Sequence, residues 1–321
     1  MSSIQEVAKK AGVGVGTVSR VINDSGYVSD KTRKKVEDVI AELNYKPNEL
    51  ARNLFRNKTN IVAVITPAIG NPYYATLYSA VENRLRKYGY KTMLCNTIGE
   101  ATNEEAYLEM LERNMVDGII TGTHTLDYSI YKKLKGPIVG FDTPKLNDDI
   151  LVVTVDHEKG GKLAAKALIE SGCKEVLQFS DATTKNYPFI KRHRAFAKEI
   201  KKAGITAREY KPLMDRFDYE YIGENIEEAF KLYPNVDGIF ATDTHALLYM
   251  KKALSLGKRI PQDLKIVAYD GTFILDTAYP SLSAIVQPID ELAKAAVDSL
   301  HAIIEGERVD RKTKVLDIYF R

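Results

Sequence analysis

An internal repeat constrains this chain more than any other feature. VDGIITG (116–122) returns as VDGIFAT (236–242), 120 residues on, and PIVGFD (137–142) returns as KIVAYD (265–270), 128 residues on. Offsets that similar indicate tandem halves of like topology. In each half, apolar runs of strand length alternate with amphipathic runs of helical spacing. That pattern argues a parallel sheet with helices on both faces. The first half reads as strands at 60–67, 90–97, 116–122, 137–142 and 151–156, with helices at 76–89, 101–115 and 126–136. The second reads as helices at 157–172, 189–204 and 221–233 and strands at 175–181, 207–213, 236–242 and 265–270. A helix at 289–306 and a strand at 314–320 complete the chain.

The first 56 residues follow a different pattern. Ser3-x-x-Glu6 is a capping box, which satisfies free amides at a helix start. Ile4, Val7, Ala8 and Ala11 then recur at helical spacing, and Gly12 stops the run. A second helix spans about Val15 to Asn23, and a third follows Ser29 with Val36, Val39, Ile40 and Leu43 inward. Pro47 disfavours helix at Lys46, so the third helix ends before it. Two short helices joined by a Gly-containing turn make a helix-turn-helix. Its second helix, with Thr17, Ser19 and Arg20 on the polar face, suits the DNA major groove. Asn48 can cap a short helix from Glu49 to about Phe55, only about two turns and too short to stand alone in water.

These residues carry a close resemblance. VAKKAGVGVGTVSRVIN, VSDKTRKKV, ELNYKPNELARNL, VDGII and YDGT are similar to the lactose-repressor and purine-repressor family of bacterial transcription factors, from about Ser3 to the C-terminus. The resemblance implies a small all-α helix-turn-helix head (1–46), a hinge helix and linker (47–59), and an α/β two-lobed, periplasmic-binding-protein-like body (60–321). In the family the chain crosses between lobes three times, expected here near Asp156, Gln287 and Lys312. The N-lobe is then about 60–156 and 288–312, the C-lobe about 157–287 and 313–321. Implied partners are double-stranded operator DNA, a second copy of the chain in a homodimer, and a small sugar or sugar-phosphate effector. A phosphoprotein coeffector is the alternative within the family.

On the DNA side the resemblance points to Val15, Gly16, Thr17, Ser19, Arg20, Asn23 and Tyr45, with Ala51 and Leu54 in the hinge. Leu54 matches the family's minor-groove wedge, an apolar side chain that unstacks a base step. Gly14 stands where the family usually has Ser, which removes a capping hydroxyl at small cost. Val15 and Gly16 cannot make bidentate hydrogen bonds to base edges; Val15 can touch a thymine methyl. Arg20 is the strongest candidate for direct readout, with a phosphate contact as the alternative.

The candidate effector residues sit just after strands: Tyr73 and Tyr74 (behind Asn71 and Pro72), Asp142, Arg192, Phe217, Thr242, Asp243, Asp270 and Gln287. Carboxylates accept from vicinal hydroxyls, Arg donates to sugar oxygens, and aromatic rings cover the apolar sugar face. By resemblance, Arg192 and Asp270 match effector contacts of sugar-responsive members, and Tyr73, Tyr74 and Phe217 match those of purine-responsive members. Asp243 could instead cap the helix after it, and Arg194 is the register alternative to Arg192. CNTIGEATNEEAYLEML, GTHTL and AYDGTFILDTAYPSLSAIVQPI most resemble the sucrose-operon repressors of Gram-positive bacteria, which implies sucrose, its phosphate or fructose.

Composition excludes other classes. Residues 1–60 hold 11 Lys and Arg against 7 Asp and Glu, and the rest 35 against 36, so the basic excess lies on the piece that would meet phosphate. Two cysteines in separate halves suggest buried free thiols. The polar start and the lack of an apolar run near 18 residues give neither a secretory signal nor a membrane span, so the expected compartment is the cytoplasm. The five histidines show no metal-ligand spacing, and surface or capping roles are expected for them. With no Walker loop, GxGxxG after a strand or GxSxG, neither an enzyme nor a cofactor or metal is expected; a sugar-processing enzyme with a DNA-binding head is the alternative from another class.

Overall fold

The computed structural model describes residues 2–47, 58–97, 101–122, 128–132, 134–180, 187–213 and 217–321. It divides into two compact units, Met1–Asn60 and Ile61–Arg321. The first is the head. Helices α1 (Ile4–Ala11), α2 (Val15–Asn23) and α3 (Asp30–Glu42) enclose Val7, Ala8, Ala11, Val18, Val21, Val36 and Val39. A fully buried valine contributes roughly 1.5 kcal/mol or more, so a cluster this small can hold three short helices that none could sustain singly. Both bonds of the capping box form, Glu6 N to Ser3 Oγ and Ser3 N to Glu6 Oε2. Gly12 ends α1 at φ 63°, a left-handed conformation that glycine adopts without penalty. Gly14 begins α2 without a side-chain cap. Arg33 on α3 reaches Asp24, just past α2, at 2.9 Å and ties the end of that helix to its support.

The body holds two six-stranded sheets of one strand order. In the N-lobe the strands are β1 (Ile61–Thr66), β2 (Lys91–Asn96), β3 (Gly118–Thr121), β4 (Ile138–Phe141), β5 (Leu151–Val155) and, from the chain's end, β11 (Lys314–Leu316). They run in the order β2-β1-β3-β4-β5-β11, all parallel. In the C-lobe β6 (Glu175–Phe179), β7 (Thr206–Tyr210), β8 (Gly238–Thr242), β9 (Lys265–Asp270), β10 (Ser283–Val286) and β12 (Tyr319–Phe320) run β7-β6-β8-β9-β10-β12. Only the two-residue β12 is antiparallel to its neighbour. Ala63, Ile65, Ile119 and Ile138 bury on one face of the first sheet, and Val62, Val64, Ile120 and Val139 on the other. Side chains of a strand alternate between faces, so a sheet covered on both sides reads as continuous apolar runs.

Helices α4 (Pro72–Lys87), α5 (Ala101–Glu112) and α10 (Ile289–Ile304) belong to the N-lobe; α6 (His157–Glu170), α7 (Ile190–Lys202), α8 (Tyr219–Leu232) and α9 (Asp243–Ser255) belong to the C-lobe. The chain enters the C-lobe at Asp156 and leaves it at Gln287 and Pro288. The returning helix α10 is anchored on α4 by Arg84, whose Nε and Nη2 meet both oxygens of Asp298 at 2.8 and 2.7 Å.

Three expectations need correction. The segment 314–320 is two strands, because Asp317 and Ile318 form the third crossover; the boundary expected at Lys312 therefore lies five residues too early. The helix expected over 126–136 is, among the described residues, a single 3-10 turn, Tyr128–Lys132. The sequence pattern does not reveal β10: SAIV is too short and too close to Pro280 to stand out. The hinge at 48–57, with Ala51 and Leu54, lies outside the described residues.

Candidate functional site

In each sheet the first strand lies between the second and third, so strand order reverses beside it. Open α/β sheets bind ligands at such switch points, beyond the carboxyl ends of their strands. Here the two switch points face one cleft between the lobes. Its cavity measures about 80 Å³. The N-lobe contributes Asn71, Tyr73, Tyr74 and Asp142; the C-lobe contributes Phe189, Arg192, Phe217, Thr242 and Asp270; Gln287 comes from the second crossover.

Local structure explains the placement. Asn71 caps α4, its Oδ1 accepting from Tyr73 N at 2.9 Å, so the first turn delivers both tyrosines to the cleft. Asp142 and Asp270 end β4 and β9 at φ 50° and 112°, in the left-handed half of φ space, which turns their side chains out of the strand direction. Arg192 is buried and lines the cleft, whereas Arg194 is exposed on α7. The guanidinium of Arg192 stacks 4.3 Å from the Tyr269 ring centroid and 5.5 Å from that of Phe189. Gly160 and Gly161 permit this seat: a Cβ on Gly161 would lie 2.1 Å from the Arg192 carbonyl oxygen, and one on Gly160 would lie 3.0 Å from the Tyr269 ring.

Hydrogen bonds order the polar groups. Tyr73 OH donates to Gln287 Oε1 at 3.2 Å, and Gln287 Nε2 donates to Asp270 Oδ1 at 2.8 Å. Asp142 Oδ1 accepts from Thr154 Oγ1 at 2.6 Å and lies 2.7 Å from His157 Nε2. Thr242 Oγ1 lies 3.0 Å from His245 Nδ1. Burial, with the Asp243 carboxylate nearby, pushes the Asp270 carboxyl well above the usual carboxylate range, against the pull of Arg192 and Gln287. Burial first, and the two aspartates next, raise the Tyr73 hydroxyl as well, so it stays a donor. Tyr74 and Phe217 meet edge-on at 6.2 Å and close one side. Two carboxyls, an amide, a hydroxyl and one guanidinium between aromatic rings suit a polyhydroxyl ligand.

Asp243 is not part of this lining. It is 2% exposed, and its carboxylate accepts from Gly271 N, Thr272 N and Thr272 Oγ1 at 3.1, 2.6 and 2.7 Å. Its place is structural: it holds the turn after Asp270, and only the fold brings that turn within reach. Sequence reading missed Phe189, because the aromatic residue before a helix looks like a packing residue. It also missed His157, which is 1% exposed and lies between Asp142 and Tyr269, not on the surface.

In the head, Val15 is 41% exposed, and Gly16 and Arg20 are exposed beside it on α2. Thr17 and Ser19 are half-buried. Arg20 runs over the turn at Gly26, where an added Cβ would stand 3.6 Å from its Cδ. Asn23 turns its amide back on Ser19, donating to the carbonyl at 3.0 Å and to Oγ at 3.3 Å. Tyr45 packs half-buried against the head core.

Residues 3–48 match the family described as bacterial regulatory proteins, lacI family, and residues 165–320 match a periplasmic binding protein-like domain. The sucrose operon repressor of Streptococcus mutans is 38% identical over 94% of this chain and 92% of its own. The chain belongs to the LacI family. It is a DNA-binding transcription regulator with a helix-turn-helix head and a two-lobed periplasmic-binding-protein-like body. The ribose operon repressor of Halalkalibacterium halodurans is 36% identical over 97% of this chain and 92% of its own. Among solved structures, a periplasmic binding protein/LacI transcriptional regulator from Alkaliphilus metalliredigens, complexed with D-xylulofuranose, superposes with a TM-score of 0.74 at 28% identity, over 82% of this chain and 97% of that one. Among the described residues of this LacI-family chain, no helix is long and apolar enough to cross a membrane, and no cluster of His, Cys, Asp and Glu is placed to hold a metal.

Proposed function

We propose that the protein represses a sugar-utilisation operon in the cytoplasm. It binds a palindromic operator as a homodimer and responds to a small sugar of the sucrose or fructose type, free or phosphorylated, in the interlobe cleft. The observation that carries this reading is the convergence of Asp142, Arg192, Asp270 and Gln287 on one cleft between aromatic walls. The names of the sucrose and ribose operon repressors support a sugar operon. Such a cleft favours a small sugar over a phosphoprotein as coeffector.

Val15, Gly16, Thr17, Ser19, Arg20, Asn23 and Tyr45 serve DNA binding in this reading. Arg20 reads guanine, and Leu54, together with Ala51, serves the minor groove where two hinges pair. Beside the cleft, and sharing Asn71 and Phe217 with it, lies an apolar hollow of about 960 Å³ bordered by exposed Leu254 and Tyr279. A second copy is the partner an operator palindrome calls for. Sugar binding alters the angle between lobes and hence the spacing of paired hinges. By linkage, operator and sugar each change the other's affinity by one factor.

The test is a thermal-shift screen of the purified protein against common sugars and sugar phosphates, followed by operator titration with each hit. A ligand that binds only the folded state raises the melting temperature. We expect a sucrose-like or fructose-like hit that also shifts operator affinity. The absence of any sugar effect on operator binding would remove the reading.

A further inference from the structure

His157 is the first residue of the C-lobe after the Asp156 crossover, and it connects the two charged sides of the cleft. Its Nε2 lies 2.7 Å from Oδ1 of Asp142, at an N-lobe strand end. Its Nδ1 lies 2.7 Å from the Tyr269 hydroxyl. The two rings are nearly parallel, 19° apart, and the Tyr269 ring carries Arg192 at 4.3 Å. One imidazole therefore links the N-lobe acceptor to the C-lobe donor. Both ring nitrogens are engaged.

The partners set the proton. An ionised Asp142 only accepts, so Nε2 donates to it; in a neutral imidazole Nδ1 is then the acceptor for the Tyr269 hydroxyl. Thr154 donates to the same Asp142 oxygen at 2.6 Å, and two donors on one oxygen fix the plane of the carboxylate. A second line between the lobes runs from Tyr73 through Gln287 to Asp270. The two lines end on consecutive residues, Tyr269 and Asp270. A shift of one lobe against the other is thus felt at a single dipeptide that also presents the arginine stack.

We propose that His157 is a positioning residue for the effector. It holds Asp142 and the Tyr269–Arg192 stack in register across the lobes, and through it a sugar hydroxyl on Asp142 is transmitted to the C-lobe. This rests on the sugar-cleft reading above. Because both bonds are charge-assisted or buried, losing them weakens sugar binding by about tenfold or more.

The experiment uses the full-length protein, operator DNA, and sucrose and D-fructose as probes. Sugar affinity, and the ratio of operator affinities with and without sugar, are measured for wild type, His157→Ala, His157→Gln, Tyr269→Phe and the His157→Ala/Tyr269→Phe double variant. The expected result is about a tenfold loss of sugar affinity in His157→Ala with the operator ratio moving toward one. His157→Gln should recover most of both, since an amide offers one donor and one acceptor. Tyr269→Phe should lose part of the coupling and add little to His157→Ala. Should His157→Ala fail to fold, Tyr269→Phe, which removes a single oxygen, decides alone. Sugar affinity and ratio unchanged in His157→Ala, a Gln variant no better than Ala, or additive losses would overturn the proposal. A wild-type protein whose operator binding ignores both sugars would overturn the sugar reading itself, and this inference with it.

Discussion

Asp142 and Asp270 occupy equivalent strand ends in the two lobes, and the lobes treat them differently. Both follow the fourth strand in a matching order, both have positive φ, and both face the same cleft. The Asp142 side chain is 14% exposed and held from the side by Thr154 and His157. Asp270 is 7% exposed, shares its surroundings with Asp243, and is pushed well up the pH scale. A repeat thus reproduces strand order and the sign of φ without reproducing electrostatics. Backbone direction follows from local sequence and sheet pairing, whereas a carboxyl's charge follows from whatever the other layers bring near it.

The comparison can be broken in four ways. The largest effect is expected from Asp270→Ala, which should weaken sugar binding about 100-fold and abolish the sugar response, measured by operator titration; a full response at wild-type sugar concentrations would mean the site is misplaced. Asp243→Ala comes next. It leaves two amides and a hydroxyl of the 271–272 turn without their acceptor and should cost about 2 kcal/mol in urea unfolding. Its effect on sugar binding should be smaller than that of Asp270→Ala; the reverse order would return Asp243 to the ligand. Third, Asp142→Ala should lower sugar affinity about tenfold by calorimetry, less than Asp270→Ala because Asp142 is the more solvated of the pair.

The smallest effect is on stability. A carboxyl whose folded pKa is raised binds protons more tightly folded than unfolded. Its contribution is therefore present in full below the unfolded value, about 3.9, and is lost as pH rises through the raised folded value. Asp270→Asn removes that loss and tolerates the positive φ. It should raise stability at neutral pH by on the order of 1 kcal/mol, or about 2 °C in melting temperature, while lowering sugar affinity. Sugar affinity of the wild type should rise over the same pH range, since the carboxylate form accepts the hydroxyls. Melting curves of the wild type and Asp270→Asn that coincide across that range would show that the two strand ends are electrostatically alike after all.

Sequence alone determined most of the elements and their order. Apolar periodicity, the Ser3–Glu6 box, Gly12 and the repeated strand motifs are local signals, and local signals survive in one dimension. Together with the family resemblance, they sufficed for the helix-turn-helix head, the two-lobed body and nine of the ten cleft-lining residues, counting Asn71. They did not separate Asp243 from Asp270, because a carboxylate after a strand reads the same whether it meets ligand or a turn 28 residues away. Nor did they place the crossover at Asp317, where one apolar run is divided between two sheets. His157 reads as a helix start. Only tertiary structure set it between Asp142 and Tyr269, since hydrogen bonds across 15 and 112 residues exist once three separate layers have packed.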